Sequence, residues 1–238
     1  MSADETVKEE DASKVVSEAV KFEIKSFTDL ILHDGSSIEA GDLLQWAATN
    51  GHLNIYQSIV EEVPDKNPKD EEGWTPLHKA AWKNHYSLFK YIMDMAEDKN
   101  PKDANGYTPL HMACMPAGRG CLEICQLILN VVEDKNPKDA HGITPLHLAA
   151  GNGHLDICQL ILNNVKDKNP EIEMDGSTPL HFTAKNGHVE VCRLIMDAID
   201  DIFPKRKLKK DKATPLQLAA QEGHRAVIDL ILTYAARK

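Results

Sequence analysis

Residues 98–114 read DKNPKDANGYTPLHMAC. The first six letters, DKNPKD, recur unchanged at 65–70 and 134–139, and a worn copy, DKNPE, stands at 167–171. A catalytic motif is needed once in a chain, whereas a copied one is architecture, so the repeat comes before any site. Behind each copy stands Thr-Pro-Leu-His, at 75–78, 108–111, 144–147 and 178–181, and Thr-Pro-Leu-Gln closes the series at 214–217. The intervals are 33, 36, 34 and 36 residues. A third motif trails these, His-Leu-Asp-Ile-Cys at 154–158, with relatives at 52–56, 121–125, 188–192 and 224–228.

Each piece has a local job. Thr is a good helix N-cap and Pro is tolerated at the first helical position, so Thr75-Pro76, Thr108-Pro109, Thr144-Pro145 and their copies each open a helix. Leu146, Leu148, Ala149 and Ala150 give that helix a small-residue face. Gly153, Gly187 and Gly223 stop it, because glycine takes the left-handed conformation readily, and Asn84 does so in the second copy. A second helix follows, as in HLDICQLILNN at 154–164, where Leu155, Ile157, Cys158, Leu160, Ile161 and Leu162 make a broad apolar stripe. Asp-, Asn- and Gly-rich residues then turn the chain toward the next Thr-Pro.

The pattern D-x-x-G-x-T-P-L-H-x-A-A followed by G-H-L-x-I-C-x-L-I-L resembles the ankyrin-repeat family. The resemblance covers roughly residues 38–238 and implies an all-α solenoid of about six helix–turn–helix repeats with β-hairpin-like finger loops. The repeats are read as approximately 38–70, 71–103, 104–139, 140–173, 174–210 and 211–238. The first has Asp42-Leu43-Leu44-Gln45 in place of Thr-Pro-Leu-His, and the third carries extra residues in MPAGRG at 115–120. Against the family's Asp-Val-Asn-Ala-x-Asp, DKNPKD puts Lys for Val and Pro for Ala. Pro fixes φ and withdraws an N–H from an exposed edge. Residues 1–12 are read as a disordered acidic tail. Residues 13–37 are read as an N-terminal capping segment, helical, with Val16, Val20, Phe27, Leu30 and Ile31 on its apolar face; a flexible tail is the alternative reading.

Composition limits the function classes. The formal charge is −10, which argues against broad nucleic-acid or anionic-membrane binding. There is no apolar run of about 18 residues, as a transmembrane helix needs, and no apolar secretory leader in MSADETVKEEDASK. Five cysteines, an odd count without disulfide spacing, suit a reducing compartment. The expectation is a monomeric cytoplasmic protein, with the nucleus as a second location.

The eleven histidines mostly occupy two columns, His78, His111, His147 and His181 in one and His52, His154, His188 and His224 in the other. Stacked neighbours lie about 10 Å apart, too far to share an ion whose nitrogen ligands sit near ~2 Å, so a bridging role between repeats is expected instead of metal. Cys125, Cys158 and Cys192 align with Tyr56, Phe89 and Ile228 and read as core filler, while Cys114 and Cys121, flanking the insertion, are expected to be more exposed. No nucleophile–base pair, phosphate loop or paired carboxylate stands apart from the repeat. The chain is read as non-enzymatic, without a cofactor.

In the family, ligands contact finger tips and the exposed face of the first helices. Carried over by position, this gives a protein-binding patch of Trp74, Trp82, Tyr107, Met115 and Ile143 on a concave groove, with Glu71, Glu72, Asn105, His141 and Lys185 around it. Trp82 stands out because its column otherwise holds Thr49, Met115, Gly151, Lys185 and Gln221. Exposed aromatics and Met suit binding hot spots. Residues 204–212, PKRKLKKDK, carry a net charge of +5 and leave −15 on the rest. Lys205, Arg206, Lys207, Lys209 and Lys210 resemble a nuclear-import signal, which gives a second reading as a nuclear, transcription-associated regulator; a solvated basic finger is the structural alternative. A third reading follows from the resemblance alone: Asn67, Asn100, Asn136 and Asn169 sit where the family's finger asparagine is sometimes hydroxylated.

Overall fold

A computed structural model describes residues 40–61, 63–115, 121–204 and 213–237. Twelve helices pair off along these residues: α1 (Ala40–Asn50) with α2 (Leu53–Val60), α3 (Pro76–Trp82) with α4 (Tyr86–Met95), α5 (Pro109–Ala113) with α6 (Leu122–Val131), α7 (Pro145–Gly151) with α8 (Leu155–Asn164), α9 (Pro179–Asn186) with α10 (Val189–Ala198), and α11 (Pro215–Gln221) with α12 (Arg225–Ala235). First helices pack on first helices and second on second, so the six pairs stack in two layers. The acidic tail and the capping segment, residues 1–37, lie outside the described residues.

The sequence explains each pair. Thr75, Thr108, Thr144 and Thr178 cap α3, α5, α7 and α9 from an extended backbone, with Pro at the first helical position. The first-layer interior is small: Ala47, Ala80, Ala113, Ala149, Ala184 and Ala219 are fully buried. Short side chains let these helices approach closely. The second layer carries the larger groups, with Leu88, Phe89, Ile92, Ile124, Ile128, Ile161 and Ile195 buried along one continuous core. Between the helices of repeat two the chain turns through Asn84, the one non-glycine residue with positive φ among those described, at 57°.

The hexapeptide is a set of caps. Asp65, Asp98, Asp134 and Asp167 each accept the backbone N–H two residues on, closing an Asx turn (2.9–3.1 Å). Lys66, Lys99 and Lys135 donate through Nζ to the carbonyls of Val60, Met93 and Leu129, in the last turns of α2, α4 and α6. A cation there meets the negative end of the helix dipole. Asn67 and Asn136 accept the backbone N–H of Leu77 and Leu146 at the start of the next first helix, both at 3.1 Å. The second lysine reaches the neighbouring finger: Lys69 donates to the Lys102 carbonyl (2.9 Å), Lys102 to the Lys138 carbonyl (3.3 Å), and Lys138 pairs with Glu173 (3.5 Å).

The final Asp shapes the finger. Asp103 Oδ1 accepts from the amides of Asn105 (2.9 Å) and Tyr107 (2.8 Å), and Asp139 Oδ1 from those of His141 and Ile143 (2.8 and 2.7 Å). Each loop closes like a hairpin, with the Asp103 amide donating to the Tyr107 carbonyl (2.9 Å). Successive fingers join by backbone bonds, Ala104 to Glu72 at 3.1 Å and Ala140 to Asn105 at 2.8 Å. This contact requires glycine at 73, since a Cβ there would lie 2.8 Å from the Ala104 nitrogen.

Candidate protein-binding surface

Two columns of imidazoles hold the candidate residues in place. Within each Thr-Pro-Leu-His, the Thr backbone N–H donates to histidine Nδ1: Thr75 to His78 (3.1 Å), Thr108 to His111 (3.0 Å), Thr144 to His147 (3.2 Å) and Thr178 to His181 (3.1 Å). Because Nδ1 accepts, the proton sits on Nε2, which donates to the next repeat. The acceptors are the carbonyls of Tyr107 (3.1 Å), Ile143 (3.2 Å), Ser177 (3.3 Å) and Ala213 (3.2 Å). These are the residues that precede Thr-Pro. In repeat one Gln45 takes over, its Nε2 donating to the Trp74 carbonyl at 2.8 Å. Each bond contributes about 0.5–1.5 kcal/mol net and fixes where one column of the surface stands.

The second column fixes the other. His85 Nε2 bonds the Thr49 carbonyl (3.1 Å), His188 that of Gly151 (2.9 Å) and His224 that of Lys185 (2.8 Å). These acceptors are the equivalents of Trp82. His154 differs: its Nε2 makes no hydrogen bond of good geometry, and burial lowers its proton affinity, a shift that the nearby Met115 carbonyl opposes. His85 belongs to this column, as the alignment of Phe89 with Cys158 and Cys192 implies, although NHYSLF departs from the GHLxIC wording.

Burial keeps His78, His111 and His147 neutral. It lowers the proton affinity of His78, and it takes His111 and His147 down to about 4, with the carbonyl bonds opposing that shift. The cysteines lie in the core as well. All five are free and buried. Burial raises Cys121 and Cys158 to about 12 and Cys192 to about 11, and pushes Cys114 well up. The expected exposure of Cys114 and Cys121 is therefore corrected. Cys114 caps the end of α5 inside the core, and Cys121 occupies a histidine-column position, where its Sγ donates to the Ala81 carbonyl at 3.3 Å.

Trp74, Trp82, Tyr107, Met115 and Ile143 are half-buried rather than exposed. Trp74 and Trp82 meet edge to face, ring centroids 5.6 Å apart at 90°. Trp74 also leans on His78 (6.4 Å), Tyr107 stands on His111 (5.3 Å), and Trp74, Trp82, Tyr107 and Met115 pack against the core. Part of each ring thus serves packing, and the remainder faces out. Lys83 lies over the Trp82 ring, 4.3 Å from its centroid, a contact the sequence did not suggest. Glu71, Glu72, Asn105, His141 and Lys185 are exposed.

The finger asparagines are half-buried. Asn67 and Asn136 spend their Oδ1 on helix caps, and Asn100 and Asn169 bury theirs without a partner. Lys205, Arg206, Lys207, Lys209 and Lys210 lie outside the described residues, as do residues 116–120 of the insertion. Among the described residues no group of histidines, cysteines and carboxylates could hold a metal ion, and no helix is long and apolar enough to cross a membrane.

A family model for ankyrin repeats matches three times, over residues 16–103, 95–172 and 164–238. The chain therefore belongs to the ankyrin-repeat family, whose members generally serve as protein–protein interaction modules and are typically non-catalytic. Compared with curated proteins, it finds no match.

Proposed function

We propose that this solenoid binds a protein partner without catalysing a reaction, and that the patch of Trp74, Trp82, Tyr107, Met115 and Ile143 is the anchor. The observation that carries this reading is Trp82. Its column otherwise holds Thr49, Met115, Gly151, Lys185 and Gln221, so the scaffold does not need an indole there. The edge-to-face contact with Trp74 orients that indole, which stays half-buried with Lys83 over its ring. Large aromatic rings with few rotamers lose little entropy on binding and dominate interface energies. The histidine bonds preset the columns, so association orders little backbone. The test is quantitative capture of partners by the native chain against Trp82→Ala and Tyr107→Ala, with the melt of each followed in parallel. Capture that survives both substitutions overturns the reading.

A further inference from the structure

The histidines that open the second helices of repeats two, five and six plug into their predecessors. The rings of His85, His188 and His224 fill the space over Gly51, Gly153 and Gly187: a Cβ on these glycines would stand 2.5, 2.6 and 2.6 Å from the respective Nδ1 atoms. Their Nε2 atoms then reach the preceding repeat's carbonyls described above. His52 holds the same position in repeat one, yet its Nε2 has no acceptor among the described residues. Its ring instead faces Trp46, centroid to centroid 5.1 Å.

Trp46 is 50% exposed. Its equivalents in repeats two, three and four are Lys79, Met112 and Leu148, of which Met112 is only 1% exposed. Beside it, Gly51, His52, Leu53, Asn54 and Ile55 line an open depression of about 370 Å³. At the other end of the stack Gln217 takes the histidine position, as Gln45 does in repeat one, and its Oε1 accepts from the Thr214 amide as the inner histidines' Nδ1 atoms do, at 2.8 Å. Repeat one is thus made as an inner repeat: it carries the plug, the apolar face and the hollow for a predecessor.

We propose that residues 16–37 of the same chain seat on this end of repeat one, bring a backbone carbonyl to His52 Nε2 and cover Trp46. Three facts select this occupant over a second copy or a foreign protein. The segment is joined to α1 through two residues, which sets a high effective concentration. It carries Val16, Val20, Phe27, Leu30 and Ile31, apolar groups of the kind that a tryptophan-lined face takes. The ankyrin-repeat match begins at residue 16, so the family pattern runs through it. The inference is independent of what the patch around Trp82 binds.

The full chain labelled with 5-fluorotryptophan gives one fluorine resonance each for Trp46, Trp74 and Trp82, and Trp46→Phe assigns the first. The double substitution Val20→Asp, Phe27→Asp is expected to shift the Trp46 resonance alone and to lower amide-exchange protection in α1 and α2 by ~10-fold or more, leaving α7 to α12 unchanged. A Trp46 resonance and α1–α2 protection identical to the parent overturn the proposal. In the otherwise native chain, a nitroxide on Lys25→Cys, against five native thiols that are all buried, should broaden the Trp46 signal in dilute solution. No broadening, or broadening only between labelled and unlabelled copies, also overturns it.

Discussion

His111 Nε2 lies 3.2 Å from the carbonyl oxygen of Ile143, one repeat downstream, while its Nδ1 accepts from the Thr108 amide at 3.0 Å. One neutral imidazole therefore caps its own helix and ties the next repeat to it. The tie ends on the residue before Thr-Pro, where a candidate binding residue begins. Scaffold and surface are coupled through a single ring.

That ring makes the stack acid-sensitive. His111 and His147 titrate near about 4 when folded and near the ordinary histidine value of about 6.5 when unfolded. Between those values the unfolded chain holds more protons, so stability is complete above about pH 6.5 and is lost as the pH falls toward about 4. At about pH 5 each of these two imidazoles removes on the order of 2 kcal/mol, and His78 acts in the same direction. Urea unfolding followed from about pH 7.5 to about pH 4.5 checks the slope; a flat profile contradicts the neutral bridge.

The glutamine already present in repeat one indicates which substitution is mild. Gln45 makes the forward bond to Trp74 that histidine makes elsewhere. His147→Gln should keep much of the stability and reduce its pH dependence. His147→Ala should lose about 2–4 kcal/mol, because it leaves a cavity, strips the Thr144 amide of its acceptor and removes one of the donors to the Ser177 carbonyl, which keeps the Ile172 amide. Equal destabilisation by both, measured at about pH 7, contradicts the bridging role.

The Asp that closes each finger predicts a second cost. Asp103 holds the amides of Asn105 and Tyr107 on one oxygen. Asp103→Ala strips both of an acceptor and should destabilise by about 1–3 kcal/mol. Amide exchange should rise first in residues 103–107. Exchange raised uniformly along the chain contradicts a local finger defect.

Lys99 predicts a smaller effect. Its Nζ donates to the Met93 carbonyl in the last turn of α4. Lys99→Met keeps the aliphatic stem and removes the charge, and should cost about 0.5–1 kcal/mol, less at high salt. Denaturant titrations at two ionic strengths separate this from lost packing, which would not respond to salt.

Much of this was readable before any coordinates. Five Thr-Pro-Leu copies dictate the helix pairs, because Thr caps and Pro starts a helix whatever surrounds them, and the Ala-rich first helices follow from the same lines. The bridging histidines were legible as columns, but the direction of the bridge was not, since it depends on which ring nitrogen accepts locally. The Lys-for-Val change in DKNPKD gives no hint of its bond, which runs to a carbonyl six residues back and shows only when the loop is folded. Cys121 was misplaced because an insertion suggests exposure, whereas the position after it is an inter-repeat contact. Nothing in the sequence singles out Trp46, and its exposure shows only once its neighbours are placed. The patch around Trp82 was legible as a break in its column, and its half-buried state, set by Trp74 and Lys83, was not.

The central claim concerns the surface that these ties hold in place. The most direct measurement is partner affinity of the native chain, Trp82→Ala and a control, Gln126→Ala, on the exposed side of α6, all well below their melting temperatures. Trp82→Ala should weaken binding by about tenfold or more, with the folded fraction unchanged and the control at native affinity. Native affinity in Trp82→Ala, or an equal loss in Gln126→Ala, would contradict the assignment of the first-helix face as the binding surface.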